Sequence, residues 1–345
     1  MNTTNQELKL FGRSNAKHSN NVSDNNAFLF HYKDFNDLGK LSQIKKTKKL
    51  SVSVVIPTLN EEQTIYNLVC FIKSNLMDNY KLVDEIIIID SGSSDSTIEK
   101  AIAAGAKVSN ASDIQLENDF VKGKGENLWR SLYSSTGDII VWVDADIINF
   151  HEGFITGLIG PLLENDNLYY TTTYYKRPLQ IQNQEITFNG GRVGEILVRP
   201  LLSYFFPELC NFFQPTSGEH AGKRSLLERL PFFSGYAVDV GHLLDITYNI
   251  GQQIIGQVNL ETRLHRHQEI NFLHRQSFGI LQALMQRAEE LGRITINSKS
   301  FKLHSVINEI KGNPKIVSDY IKEIERPPII RYDLYKNKFN HAKAV

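Results

Sequence analysis

Cysteine is scarce in this chain. There are two in 345 residues, Cys70 and Cys210, far apart and without metal-ligand spacing. That argues against a disulfide framework and fits a reducing compartment, the cytoplasm. Net charge is lacking too, with 38 Lys and Arg against 38 Asp and Glu. No global basic field draws the protein to nucleic acid or to an anionic membrane, so any basic site must be local. No apolar run approaches the ~20 residues that cross a bilayer. The longest, such as Ile86-Ile87-Ile88-Ile89, are strand-sized. The polar N-terminus, rich in Asn, Ser and Lys, has no apolar stretch of the secretory kind. The expectation is a chain without a nucleic-acid partner or a transmembrane segment. No internal repeat is visible.

What is present is a hydrophobic share of 41%, enough for a sizeable core. Residues 1–50 read as an N-terminal extension, disordered to about residue 25. Phe28, Leu29, Phe30, Phe35 and Leu38 then suit a short docking helix, and Lys45, Lys46, Lys48 and Lys49 suit a solvated lead-in. A βαβ pattern starts at Ser51. Ser51–Ile56, Glu85–Ile89, Ala106–Ser109 and Asp138–Val143 read as strands. Glu62–Leu76, a segment from Asp95 to Gly105, and Gly125–Ser135 read as helices. Asn60 suits an N-cap, and Ser96-Thr97-Ile98-Glu99 a capping box. Strands alternating with helices build an α/β domain with a mostly parallel sheet and helices on both faces. Tyr169–Tyr175 reads as a further strand, Arg275–Leu291 as an amphipathic helix, and residues 303–324 as two short helices split near Gly312 and Pro314. The working division is 1–50 extension, 51–150 nucleotide-binding half, 151–295 acceptor half of the same domain, and 296–345 C-terminal helices and tail.

Ligands of such sheets bind at the carboxyl ends of the strands. Three of those ends are polar and acidic: Pro57-Thr58-Leu59-Asn60-Glu61-Glu62, Asp90-Ser91-Gly92-Ser93 and Asp144-Ala145-Asp146. In extended chain, residues two apart point the same way. Asp144 and Asp146 can therefore converge on one hard cation such as magnesium or manganese, which neutralises a diphosphate leaving group. Asp90 and Glu61 can accept hydrogen bonds from a nucleoside. Lys124, in Gly123-Lys124-Gly125-Glu126, can meet a phosphate, although Walker spacing is missing. Asn189-Gly190-Gly191-Arg192-Val193-Gly194 can form an anion nest with Arg192 beside it. Arg263, His265 and His267 share a face if the chain is extended there, so His265 can complete a metal shell while Arg263 and His267 face an anion. Taken singly, these signals also fit plain turns, caps and solvated surface.

Together the segments resemble the GT-A-fold glycosyltransferases, and more closely the glucosyl-3-phosphoglycerate synthases. The likeness runs from about Val52 to Gly292. It also rests on Gly191-Arg192-Val193-Gly194-Glu195, Arg199-Pro200-Leu201 and Gln257-Val258-Asn259-Leu260 leading to His265-Arg266. The resemblance implies retaining transfer of glucose from UDP-glucose or GDP-glucose to 3-phosphoglycerate, in glucosylglycerate synthesis, with Mg2+ or Mn2+ and in a homodimer. It matches Pro57, Thr58, Leu59, Glu61, Ser91, Lys124, Asp144 and Ala145 to donor contacts, with Tyr236 and Asp239 nearby, and Asp90 joins that donor set by its place at the second strand end. It matches Asp146 and His265 to the metal. Gly191, Arg192, Val193 and Gly194 match the acceptor-phosphate loop, with Arg263 and His267 beside it. Asp146, Lys124 and Asp239 are its catalytic candidates. The chain departs from the family pattern at Gly194, where Thr is expected, at Asp239 for Glu, and at His267 for Asn. Three rival readings remain. One is a related transferase acting on glycerate or a polyprenyl phosphate. Another is a nucleotidylyltransferase, which would need a basic Gly-rich loop after the first strand. The last is a non-catalytic nucleotide-sugar sensor.

Overall fold

The structure, a computed structural model, describes residues 28–116, 119–181, 184–189, 191–264, 270–297, 303–310 and 313–342. The first 27 residues, expected to be largely disordered, lie outside the described set. In chain order the elements open with β1 (Phe28–His31), α1 (Leu38–Lys48), β2 (Val52–Thr58), α2 (Ile65–Phe71) and β3 (Glu85–Asp90). Next come α3 (Thr97–Ala103), β4 (Lys107–Asn110), α4 (Lys124–Ser134), β5 (Ile139–Trp142) and α5 (Gly153–Glu164). The middle of the chain forms β6 (Tyr170–Ile181), β7 (Gln184–Asn189), α6 (Arg199–Phe205), β8 (His220–Lys223), α7 (Arg224–Leu227) and β9 (Phe232–Phe233). The last part is α8 (Val238–Asn249), β10 (Ile255–Thr262), α9 (Ile270–Glu290), β11 (Leu303–Ile310), β12 (Asn313–Tyr320), β13 (Glu325–Arg326) and α10 (Asp333–Ala342).

The main sheet runs β1-β10-β6-β8-β5-β2-β3-β4, with β7 added to β6. β5, β2, β3 and β4 are parallel. β8 is antiparallel to both neighbours, and β6, β10 and β1 are parallel again. The chain leaves β2 toward β3 and β4, then returns to the other side of β2 as β5. That reversal opens a crevice at the carboxyl ends of β2 and β5.

Alternation along the strands divides the core in two. Val54, Ile56, Ile139 and Val141 pack with α2 and α5 on one face. Val55, Ile140 and Trp142 pack with α4, α8 and α9 on the other. A strand buried on both faces reads as a continuous apolar run, as Ile86–Ile89 does.

Several local expectations are corrected. Phe28–His31 is a strand that extends the sheet beside β10. The lysine run belongs to α1, and Lys45 is buried, bonding to Asp84 and the Lys81 carbonyl. Asn60 caps no helix. It sits at φ 58 and its side chain accepts from the Ser94 amide, while α2 begins after Thr64. Ser96 makes no side-chain cap; Asp95 accepts from Thr97 instead. Among the described residues of 303–324 there is no helix; 303–310 and 313–320 pair as antiparallel strands, with Leu303 opposite Tyr320 and Ile307 opposite Ile316.

Candidate active site

β5 is buried on both faces, and the Val143 amide still bonds to Val55, so the polar residues emerge only at Asp144. Ala145 between the two aspartates is buried and anchors the turn. Asp144 and Asp146 thus stand together at the crevice and line a cavity of about 110 Å³ with Lys124, Arg177, Gly191, Val193, Gly194, Thr216, Tyr236, Asp239 and Arg263.

Charge in this cavity is densely paired. Lys124 Nζ lies 3.1 Å from Asp144 and 3.5 Å from Asp239. Arg263 reaches Asp144 at 3.0 Å, Asp146 at 2.7 Å and the fully buried Glu219 at 3.1 Å. Burial works against the Lys124 charge, yet Asp144, Asp239 and Glu219 outweigh it and raise its pKa. Burial also acts to raise Asp144, but Lys124 and then Arg263 prevail and hold it well below the usual carboxylate range. Asp146 is pushed up by burial, with Arg263 opposing. Asp239 is the looser partner of Lys124, and burial pushes it up to about 7. His220, with Nδ1 3.7 Å from Asp239, is itself held neutral by burial and lends no charge. Tyr236 is pushed up to about 12 by burial and keeps its proton.

Backbone proximity sets this pairing. The N-terminus of α4 lies against the β9–α8 turn, where the Gly125 amide donates to Gly235 and the Glu126 amide to Ser234. A Cβ on Gly125 would overlap the Phe233 carbonyl, and one on Gly218 would overlap the Asp144 carboxylate. Both glycines are needed for close approach rather than for a special φ.

Of the expected donor residues, Lys124, Asp144, Tyr236 and Asp239 line that cavity, and the others from β2 and β3 lie along the adjoining ends of those strands. Thr58 is buried and donates to Asp90. The Asp90 oxygens accept from Thr58, the Gly92 and Ser93 amides and the Ser93 hydroxyl. Asp90 shapes the loop. Ser91 is tied to Asn127 on α4. Pro57 is half-buried and Leu59 is exposed at the rim. The Glu61 amide bonds to Thr97.

On the acceptor side, Gly191 (φ 83) turns the chain into the helical run that continues through α6. Gly191, Val193 and Gly194 face the cavity, while half-buried Arg192 is not among its lining residues. Arg263 lines the cavity and directs Nε and Nη2 to three carboxylates. His265 and His267 lie outside the described residues. Among the described residues no cluster of three His, Cys, Asp or Glu side chains stands ready for a metal. The two aspartates do supply hard oxygen ligands, and cations such as Mg2+ take only one or two carboxylates beside phosphate oxygens and water. The donor set fits such an ion. Sequence reasoning missed Arg177, Thr216 and Glu219. Each stands alone among ordinary neighbours, and only the meeting of β6, β8 and the Gln214–Gly218 turn reveals it.

The profile of Glycosyl transferase family 2 matches residues 53–230. Glucosyl-3-phosphoglycerate synthase of Petrotoga mobilis is 43% identical over 316 residues, covering 92% of this chain and 97% of that protein. The Mycobacterium tuberculosis enzyme of the same name is 42% identical over 253 residues, covering 72% and 76%. A crystal structure of the M. tuberculosis enzyme with Mn2+, UDP and glucosyl-3-phosphoglycerate superposes with a TM-score of 0.77. Its identity is 34%, over 89% of this chain and 99% of that one. Mannosyl-3-phosphoglycerate synthase from Rubrobacter xylanophilus superposes with a TM-score of 0.80 at 29% identity, over 88% and 97%.

Proposed function

The chain belongs to glycosyl transferase family 2 and, within it, to the glucosyl-3-phosphoglycerate synthases, and from that premise we propose that it transfers glucose from a nucleoside-diphosphate glucose to 3-phosphoglycerate with retention. The observation that carries the reading is the cavity in which Asp144, Asp146 and Lys124 meet the Gly191–Gly194 turn. It joins a metal-and-diphosphate wall to an anion-receptive wall. UDP-glucose is the favoured donor, because the M. tuberculosis relative is captured with it and phosphoglycerate. Mg2+ or Mn2+ fits because relatives bind either. GDP-glucose is the alternative donor.

In this reading residues 51–150 carry the donor and 151–295 the acceptor. Asp146, backed by Asp144, would hold the divalent ion, which supplies charge neutralisation at the diphosphate. Lys124 places its ammonium beside the same phosphates. Asp239 and Tyr236 flank the glucosyl group. The acceptor hydroxyl attacks the anomeric carbon from the face the diphosphate leaves. The new C–O bond forms as the old one breaks, and the hydroxyl proton passes to the departing phosphate oxygen. Arg263 keeps the acidic residues aligned. Product isolated from UDP-glucose and 3-phosphoglycerate should be the α-glucoside, and Asp146→Asn should reduce turnover at least 10³-fold. An inverted product, or near wild-type turnover by Asp146→Asn, contradicts the scheme.

Among the described residues no helix is long and apolar enough to cross a membrane. Two free cysteines support a cytoplasmic location. A homodimer is supported by the hairpin, where Leu303, Ile307, Ile316 and Tyr320 expose an apolar row on one face. Light scattering on the intact protein tests it, and a monomer at all concentrations removes that part of the reading.

A further inference from the structure

Two side chains beside the Gly191–Gly194 turn hold hydrogen-bonding capacity that nothing uses. The Thr216 hydroxyl lines the cavity and makes no hydrogen bond among the described residues. It stands 3.3 Å from the position a Cβ on Gly194 would take, and nothing else lies within 4 Å of that position. Arg177, at the far end of β6, has one guanidinium nitrogen on the Tyr175 hydroxyl at 3.0 Å and its group over the Tyr175 ring. Its Nε is buried without a partner. Its Nη1 lies 3.1 Å from the Cβ position of Gly191.

Direct ion pairing singles out Arg177. The other cations of the cavity, Lys124 and Arg263, are each paired with carboxylates. Among the described residues no carboxylate pairs with Arg177. Asp144 and Asp146 feel its charge from a distance, but no carboxylate bridges it, so its guanidinium keeps N–H donors for a ligand anion. Gly191 and Gly194 both line the cavity. Their missing side chains leave a shallow bay with the guanidinium at one end and the hydroxyl at the other. Donors from separate directions match the tetrahedral oxygens of a phosphate better than the two coplanar oxygens of a carboxylate.

We propose that Thr216 and Arg177 are the side chains that bind the phosphate of the acceptor, and that Thr216 supplies from β8's leading turn the hydroxyl that position 194 lacks. The inference rests on the acceptor being 3-phosphoglycerate. Thr216 is a specificity residue, because it separates a phosphorylated acceptor from a bare one.

The test is steady-state kinetics with 3-phosphoglycerate and with glycerate, together with calorimetric binding of 3-phosphoglycerate. Losing one hydrogen bond to a charged group should raise the acceptor KM and Kd about tenfold in Thr216→Ala. The UDP-glucose KM should stay within about twofold, and so should kinetics with glycerate. Thr216→Ser should restore the wild-type values. The double variant Thr216→Ala/Gly194→Thr should restore most of the loss, because the hydroxyl returns from the other side of the bay into space the first change has cleared. Arg177→Lys should raise the same KM more than Thr216→Ala does. The inference is overturned if Thr216→Ala leaves the 3-phosphoglycerate KM unchanged, weakens glycerate equally, or is rescued by Gly194→Ala as well as by Gly194→Thr. Wild-type turnover separates the levels of the argument. If the wild type ignores 3-phosphoglycerate, the acceptor assignment falls and this inference with it. If it turns over and Thr216→Ala behaves as wild type, only this inference falls.

Discussion

At the scale of single residues, the site is a set of buried charges held in balance. Arg263 is the hub, because one guanidinium serves Asp144, Asp146 and Glu219. Removing one partner of a buried ion pair leaves uncompensated charge, at a cost of about 3–5 kcal/mol. Arg263→Ala is therefore expected to lower unfolding stability by about that amount in chemical denaturation. A loss below about 1 kcal/mol would show that the carboxylates protonate or resolvate freely. Asp239 has the opposite character. Burial raises it to about 7 in the folded protein from an ordinary value of 3.8. The folded state then binds more protons than the unfolded state between those values, so Asp239's contribution is fully present below about pH 4 and is lost as pH rises through about 7. Asp239→Asn does not titrate. Its unfolding midpoint should gain on the wild type steadily from pH 4 to pH 8, and a constant difference across that range contradicts the shift. Much of this layer was legible in the sequence as residue types: the paired aspartates, Lys124 between glycines, and the glycine turn. The roles were less so. The carboxylate partners of Arg263 and the loop bonds that Asp90 accepts were not visible in the sequence. Charge pairing across strands distant in sequence has no local signature.

At the scale of elements, the parallel strands and their helices were legible because their patterns are strong. Ile86–Ile89 and Ile139–Val143 are runs that only a doubly covered sheet buries. The hairpin of β11 and β12 was not. Its solvent face carries Leu303, Ile307, Ile316 and Tyr320, so hydrophobic residues recur without marking a core, and the helical reading took their spacing for amphipathicity. The caps failed for a related reason. Asn60 found its partner in the Ser94 amide rather than in its own helix, and at the start of α3 it is Asp95, not Ser96, that accepts from the Thr97 amide. The placement of α4 depends on contact between backbones. Gly125→Ala forces a methyl onto the Phe233 carbonyl. Overpacking of this kind costs about 1–3 kcal/mol, and it moves Lys124, the first residue of α4. The variant should lose both thermal stability and turnover. Unchanged turnover in a destabilised Gly125→Ala protein would detach Lys124 from the chemistry.

At the scale of the whole molecule, the C-terminal segment clamps α4. Arg326 bonds to Glu126, which also holds Arg130 on α4, and Trp129 donates to the Pro327 carbonyl. The chain therefore closes on the helix that carries Lys124. The central claim concerns that joint action: metal wall and acceptor wall must be filled together before the glucosyl bond breaks. The most direct measurement is UDP release from UDP-glucose by the purified protein, with and without 3-phosphoglycerate, each with Mg2+ or with chelator. Release that needs acceptor and metal together is the predicted result. Equal release without 3-phosphoglycerate, or undiminished release in chelator, would contradict it.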